Sequence, residues 1–164
     1  LAQTLLRHKE RINAHERELR DSHFKRLNAG EIASHEIAGK LKGDYPDNVW
    51  SNAYELWYHS RSPLHKPFQE ELAKRQGVKE TSSWPLLAYI GVRFVEAAAQ
   101  KAGSMDVEAL VTALEGLSVE TPVGLRRMDA TTHETDTGQF WGPMKKMDQY
   151  EFRMMDPVTY IPGD

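Results

Sequence analysis

The chain has 164 residues, of which 40% are hydrophobic and 27% are charged. This composition is typical of a globular domain and excludes a disordered tail, and a chain of this length can bury a core of its own. Because the sequence contains no cysteine, disulfides, thiolate nucleophiles and zinc ribbons are excluded, while the cell compartment stays open.

The charges divide the chain into two parts. Residues 1–43 carry nine Lys and Arg against six Asp and Glu, and the remainder carries twelve against eighteen. The cations of the first part alternate with acidic residues such as Glu10 and Glu16, so we expect no nucleic-acid binding there. Charges begin at Arg7 and no apolar stretch follows them, so we expect no signal peptide at Leu1.

The first 43 residues predict two helices. Nothing breaks a helix over residues 1–28, and the Asn-Ala-Gly sequence at residues 28–30 supplies a stop. This long, exposed helix has only a thin apolar line with a seven-residue spacing, at Leu5, Ile12 and Leu19. Such a line is too thin for a coiled coil, so the helix needs a neighbour. A second helix is predicted over residues 31–42.

Residues 45–58 are rich in aromatic side chains: Tyr45, Trp50, Tyr54, Trp57 and Tyr58. They favour an irregular segment that is anchored to the core, and the alternative is an aromatic platform lining a ligand cleft.

Three helices are predicted next. The first spans residues 67–75, and the second starts at the capping residues Ser82 and Ser83 and runs to Gly103. Apolar residues cover two sides of the second helix, so we expect it to be buried, with Tyr89 in the core. Ser104 is predicted to cap the third helix, which ends at Gly116.

Beyond Leu117 the pattern favours strands. The sequence TPVG at residues 121–124 indicates a turn, and short strands are predicted near residues 125–129, 139–145 and 150–161. Pro143 and Pro157 are expected to confine their strands to edges or irregular ends.

Catalytic and metal-binding patterns are weak. His8 and His15 are two helical turns apart, too far for a ligand pair on one helix, and His23 and His35 add no suitable spacing. Asp129, His133 and Asp136 could form a base with orienting carboxylates, but they lie in a predicted loop without a distinct nucleophile. The sequence also has no phosphate-binding glycine loop. We therefore expect no enzyme, no metal and no cofactor.

Several segments together resemble a known family. These are WPLLAY at residues 84–89, KAGSMDVEALVTALEGL at 101–117, TPVG at 121–124, FWGPMKK at 140–146 and DPVTYIPG at 156–163. In this order and spacing, over about residues 45–164, they are similar to the C-terminal part of periplasmic solute-binding proteins of the branched-chain amino acid and amide type, which serve ABC transporters.

The resemblance implies a partial type I periplasmic-binding fold of the α/β family, present here as a helix-rich α+β chain with short C-terminal strands. It implies a two-lobed, non-catalytic receptor that closes on a small amino acid or amide in the periplasm and delivers it to a permease. The chain would cross between the lobes near residues 52–58 and again near residues 121–124. Trp84 would contact the ligand, and a hydrophobic staple or core position is the alternative for it.

The chain also departs from the family. Its members are more than twice as long, and residues 1–43 form a helical segment without likeness to them, so the predicted domains are 1–43 and 44–164. The sequence LRRMD at residues 125–129, with THE at 132–134, replaces an apolar strand. The alternative function is therefore a structural or oligomerisation module without a ligand. In either case we expect a homodimer. The apolar helix predicted from Ser83 to Gly103 needs cover, and residues 1–28 can reach another copy.

Overall fold

A computed structural model describes residues 27–28, 35–45 and 49–163 of the chain. The helices in these ranges are α1 (His35–Leu41), α2 (His65–Gln76), α3 (Ser83–Ala102) and α4 (Val107–Leu114), and Lys42–Asp44 forms a 3-10 turn. The strands are β1 (Leu27–Asn28), β2 (Val49–Ala53), β3 (Ser118–Thr121), β4 (Gly124–Arg127), β5 (Gln139–Lys146), β6 (Arg153–Met155) and β7 (Thr159–Ile161). None of these helices is long and apolar enough to cross a membrane.

The chain folds into two lobes. The sheet lobe consists of α1 and a five-stranded sheet in which β2 pairs with β1 and β5, and β5 pairs with β6 and β7. The β1–β2 pair is parallel, and the other pairs are antiparallel. The helical lobe consists of α2, α3, α4 and the β3–β4 hairpin. This mixture of helices and short strands confirms the predicted helix-rich α+β chain.

Each lobe has its own core. In the sheet lobe the buried residues include Tyr45, Val49, Phe140, Met144 and Met155. In the helical lobe one face of α3 packs against the hairpin, through Leu86, Ile90, Phe94, Val119 and Val123. The two cores share no residue, as expected for two lobes joined by crossing segments.

The helices of the helical lobe begin and end close to the predicted positions. The Ser82 hydroxyl accepts a hydrogen bond from the Trp84 amide at the start of α3, and Gly103 closes the helix in the left-handed conformation (φ 62°). The α4 cap was predicted at Ser104, which is wrong, because the Asp106 carboxylate accepts the hydrogen bond of the Ala109 amide at 3.1 Å. Ser104 instead accepts from the Asp106 amide.

The prediction that α3 is buried on two sides is wrong. Leu86 and Phe94 are buried, but Val92 on the opposite side is 66% exposed and Val95 is 48% exposed. Tyr89, expected in the core, is 43% exposed, and its ring lies 4.9 Å from that of Phe68. Among the described elements only the hairpin and the neighbouring helices cover α3, and they reach one side of it.

Pairing between distant strands corrects other predictions. Leu27 and Asn28, expected at the end of a helix, pair with β2, and the rest of that predicted helix lies outside the described residues. Part of the aromatic segment, expected to be irregular, forms β2. Ser118–Thr121, for which no strand was predicted, pairs with β4 through the predicted turn at residues 121–124.

Pro143 and Pro157 lie at one break in the sheet. Pro157 interrupts the segment between β6 and β7, as predicted. Pro143 was predicted to confine its strand to an edge or an irregular end. The edge position is wrong, because β5 has partners on both sides. Proline is tolerated there because β6 pairing begins at Met144 and β7 pairing stops at Trp141, so the ladder is interrupted beside it.

Candidate functional site

Two chain segments cross between the lobes. Residues 54–64 lead from β2 to α2, and residues 128–138 lead from β4 to β5. A buried ion pair joins the first segment to β4, the strand from which the second segment leaves: Nη2 of Arg126 donates to Oε1 of Glu55 at 3.1 Å. The two side chains are 6% and 3% exposed. The start of the first crossing segment and β4 are therefore held together by a contact between residues 71 positions apart.

The carboxyl group of this pair titrates in an unusual range. Burial raises the pKa of Glu55 to about 7, although the nearby charges of Arg126 and Arg61 lower it. Desolvation therefore outweighs the attraction of two cations, as is common for buried ion pairs. Glu55 therefore takes up a proton at a higher pH than an exposed carboxyl group does.

The first crossing segment is also fixed to the sheet lobe. The Tyr58 hydroxyl accepts from the Met155 amide at 3.1 Å and donates to the Met155 carbonyl at 3.4 Å. The Arg61 guanidinium lies 3.2 Å above the centre of the Tyr160 ring, an arrangement that favours a cation–π interaction. With Tyr45 fully buried, these contacts support the prediction that aromatic residues anchor this segment.

An open cleft of about 540 Å³ has walls from both lobes. Its helical-lobe wall is the α2–α3 connection, and its sheet-lobe walls are α1 with its 3-10 turn and the β5–β6 connection. The lining residues are Gly39, Lys40, Lys42, Lys79, Glu80, Gln149, Tyr150, Glu151 and Phe152. Tyr150 and Phe152 supply an aromatic surface, and the Trp57 ring packs edge-on against Tyr150 at 5.7 Å.

The charges in the cleft are mixed. Lys42 Nζ lies 2.8 Å from Glu151 Oε2, which raises the pKa of Lys42 and lowers that of Glu151. Lys79, on the opposite lobe, lowers the pKa of Glu151 further. Three lysines face two glutamates, so the cleft carries one net positive charge at neutral pH.

A buried polar cluster supports the helical-lobe wall. The Thr81 hydroxyl donates to Gln69 Oε1 at 2.6 Å, and Gln69 Nε2 lies 2.9 Å from His65 Nε2. Burial is the main cause that lowers the pKa of His65, so the ring is neutral near pH 7. The cluster ties α2 to the residue before the Ser82 cap and so fixes the start of α3.

Trp84 lies at this start of α3 with its side chain 51% exposed. It follows the Lys79 and Glu80 wall of the cleft by four residues but does not itself line the cleft. A core position for Trp84 is thereby excluded, and its role in ligand binding stays a prediction.

The other chemical candidates do not form a site. Asp129 accepts hydrogen bonds from the Thr131 and Thr132 amides, and Asp136 accepts from the Arg127 amide, so both carboxylates order a loop. His133 instead lies 3.3 Å from Glu115. Within the described ranges no three residues form a group suited to a metal ion. His8, His15 and His23 lie outside those ranges, as does the His35 side chain.

A family profile decides the relationship that the fold suggests. The profile described as "Periplasmic binding protein" matches residues 19–145, which is more than half of the chain. The chain belongs to the periplasmic binding protein family. The match begins inside the segment 1–43, so a domain boundary at residue 43 stays a prediction. No curated protein matches the sequence.

Solved structures of ABC-transporter receptors share the fold. An ABC-type branched-chain amino acid transporter from Rhodopseudomonas palustris CGA009 superposes with a TM-score of 0.67 at 21% identity, covering 84% of this chain and 36% of that one. A solute binding protein from Rhodopseudomonas palustris HaA2 in complex with p-hydroxybenzoic acid superposes with a TM-score of 0.62 at 18% identity, covering 79% of this chain and 35% of that one. The leucine-, isoleucine-, valine-, threonine- and alanine-binding protein from Brucella ovis superposes with a TM-score of 0.64 at 15% identity, covering 82% of this chain and 36% of that one.

These comparisons confirm a partial type I periplasmic-binding fold. The chain spans about a third of the length of the solved receptors. In this periplasmic binding protein the departure at LRRMD has a structural explanation, because Arg126 of that sequence turns inward to meet Glu55. Sequence reasoning missed this pair, and its only signal was a charged residue in place of an apolar one.

Proposed function

We propose that the chain is part of a non-catalytic solute-binding receptor for an amino acid or a small amide. It would act in the periplasm and deliver its ligand to an ABC permease. The observation that carries the proposal is the cleft walled by both lobes, in a chain whose family consists of such receptors. Closure of two lobes on a small solute needs walls that belong to different bodies joined by crossing segments.

The chemistry of the cleft agrees with a small polar ligand. Lysine ammonium groups donate hydrogen bonds to a carboxylate or amide oxygen, and glutamates accept them from an ammonium or amide nitrogen. Tyr150 and Phe152 offer apolar surface for the body of the ligand. One similar receptor is described as a leucine-, isoleucine-, valine-, threonine- and alanine-binding protein, and another is in complex with p-hydroxybenzoic acid, so both ligand classes belong in the test.

Trp84 is our candidate for direct ligand contact. Its ring is half exposed and stands at the start of a helix that is fixed beside the cleft wall. Closure of the lobes would bring an exposed aromatic at this position towards the sheet lobe, where stacking on a ligand would bury it.

Calorimetric titration tests the proposal. We expect saturable heat with at least one member of a panel of amino acids, small amides and hydroxybenzoates. Trp84→Ala should abolish that heat, whereas Tyr89→Ala, at a second exposed aromatic on the same helix, should retain it. Circular dichroism must show that both variants stay folded. Unchanged affinity in Trp84→Ala would contradict the assignment, and absence of heat throughout the panel would contradict the function.

The second candidate function is self-association without a ligand, and the exposed apolar side of α3 favours it. Ala88, Val92 and Val95 are exposed along this side. A two-fold dimer would bury them in both copies, and the opposite net charges of residues 1–43 and the remainder would favour contact between copies. Light scattering at micromolar concentration distinguishes the candidates. A dimer that dissociates when residues 1–28 are removed, with no ligand heat, supports this function, and a compact monomer contradicts it.

A further inference from the structure

We infer that Glu55 and Arg126 are positioning residues that set the angle between the two lobes and thereby the orientation of the cleft walls. The effect of the pair on the lobe angle depends on the fold alone, whereas its effect on a ligand cleft rests on the proposed function.

The location of the pair is the first argument. Glu55 stands two residues after β2, where the chain leaves the sheet lobe, and Arg126 lies in β4, near the point where the chain returns. A rotation of one lobe against the other has to bend these two segments. A contact between the start of the first segment and β4 therefore limits the rotation, whereas an ion pair within one lobe would not.

Fixation of the surrounding residues is the second argument. Tyr58 is hydrogen-bonded to Met155 in β6, and Arg61 lies on the Tyr160 ring in β7, so the first crossing segment follows the sheet lobe. Arg126 belongs to the hairpin that packs against α3 through Val119 and Val123, so it follows the helical lobe. The Glu55–Arg126 contact thus joins a residue held by one lobe to a residue held by the other.

The energetics of buried ion pairs is the third argument. Removal of both charges in favour of apolar residues of similar volume often leaves stability unchanged or raises it, because the desolvation cost disappears with the attraction. The loss of such a pair then appears as a wider range of angles between the two lobes. A purely structural role predicts a change in stability, and a positioning role predicts a change in the lobe angle.

The pair also gives the angle a pH dependence with a defined sign. The charged groups that act on Glu55 are Arg126 from β4 and Arg61 from its own segment. In the joined arrangement the pKa of Glu55 is about 7, and in a separated, hydrated arrangement it returns to the ordinary 4.5. The arrangement with the higher pKa binds the proton more tightly, so acid favours the joined arrangement. The ratio of separated to joined molecules should rise about tenfold per pH unit between the two values and stay constant above the higher one.

Distance measurements between spin labels test the inference directly. Because the chain lacks cysteine, the exchanges Lys74→Cys in α2 and Lys146→Cys in β5 place one label on an exposed position of each lobe. Double electron–electron resonance between the two spin labels then gives the distribution of inter-lobe distances. The double variant Glu55→Leu/Arg126→Met should broaden or shift this distribution while the protein still melts cooperatively. The control Glu71→Leu/Arg75→Met, which removes an exposed ion pair within α2, should leave it unchanged.

A pH titration of the labelled chain with Glu55 and Arg126 intact provides the second readout. Any separated fraction present at pH 7 should shrink as the pH falls towards 4.5 and stay constant above pH 7, and the double variant should show no such change. Identical distributions in the intact protein and the double variant would overturn the inference. If the double variant does not fold, Glu55→Gln replaces it in the distance measurement and should broaden or shift the distribution. Neither readout needs a ligand, so a shift without ligand heat would leave the positioning role standing and remove the solute-binding function.

Discussion

The two lobes differ in how completely they cover their apolar residues. In the sheet lobe Phe140 is fully buried between strands, and Tyr45, Val49 and Met155 complete a closed core around it. In the helical lobe α3 is buried on one side, and Val92 on the other side is 66% exposed. Domains are stable when two layers enclose a core. The sheet lobe meets this condition within the described residues, and the helical lobe leaves a second face open.

This difference separates residues that hold the lobe together from residues that await a partner. A buried apolar residue contributes to the free energy of unfolding in any state of assembly, whereas an exposed one contributes only when something covers it. Truncation of a buried apolar residue should therefore lower the free energy of unfolding, whereas truncation of an exposed one should weaken association and leave the stability of the monomer nearly unchanged.

The largest effect is expected from Phe140→Ala in the sheet lobe. Phe140 packs at 5.0 Å against the Tyr160 ring and at 5.4 Å against the His59 ring. Its truncation leaves a cavity between three parts of the sheet lobe, and we expect a loss of about 3–5 kcal/mol in the free energy of unfolding. Urea denaturation followed by circular dichroism measures it. Ile161→Ala, at a half-exposed site in the neighbouring β7, is the control and should cost far less.

A pair of truncations on α3 sharpens the comparison within one helix. Ile90 is 8% exposed in the helical-lobe core, and Val92 is 66% exposed. We expect Ile90→Ala to lower the free energy of unfolding by about 2–5 kcal/mol. Val92→Ala should change it by less than about 0.5 kcal/mol at concentrations where the chain is monomeric. A large loss for Val92→Ala under those conditions would mean that this face of α3 is covered.

Gly142→Ala tests how tightly the sheet lobe is closed. A Cβ at this position would overlap the Pro157 carbonyl oxygen and approach Met155 Cγ to 2.7 Å. The Pro157 obstacle is backbone at the break between β6 and β7, so it cannot turn away as a side chain could. We expect a loss of about 1–3 kcal/mol in denaturant unfolding, typical of overpacking. An unchanged midpoint would show that this part of the sheet lobe can adjust.

The ends of the helices in the helical lobe could be predicted well from the sequence because their signals are local. Ser82 and Gly103 mark the ends of α3 by side-chain capping and left-handed geometry, and both signals lie within a few residues of the helix they define. The face that stays exposed could not be predicted, because apolar residues on two sides of a helix do not reveal how many partners are present.

The sheet lobe and the crossing site depend on contacts between distant residues. β2 gains its strand conformation from β5, about ninety positions later, so its aromatic pattern alone indicated an irregular segment. Arg126 is charged, and a charged residue in a short strand indicates solvent exposure unless its partner is known. That partner, Glu55, precedes it by 71 positions. The cleft walls likewise come from three separate regions of the sequence.

An effect of opposite sign is expected from Gly91→Ala in the middle of α3. A Cβ at Gly91 would meet no atom within 4 Å among the described residues, and glycine is less favourable than alanine in a helix interior by roughly 0.5–1 kcal/mol. The substitution should therefore stabilise the monomer by about this amount, in contrast to Gly142→Ala. If a second copy or another layer packs closely on this side of α3, the added methyl group will weaken that contact instead. Unfolding measured at two protein concentrations separates these outcomes: stabilisation at low concentration with loss of association at high concentration identifies the open side of α3 as a contact face, and stabilisation at both shows that nothing approaches Gly91.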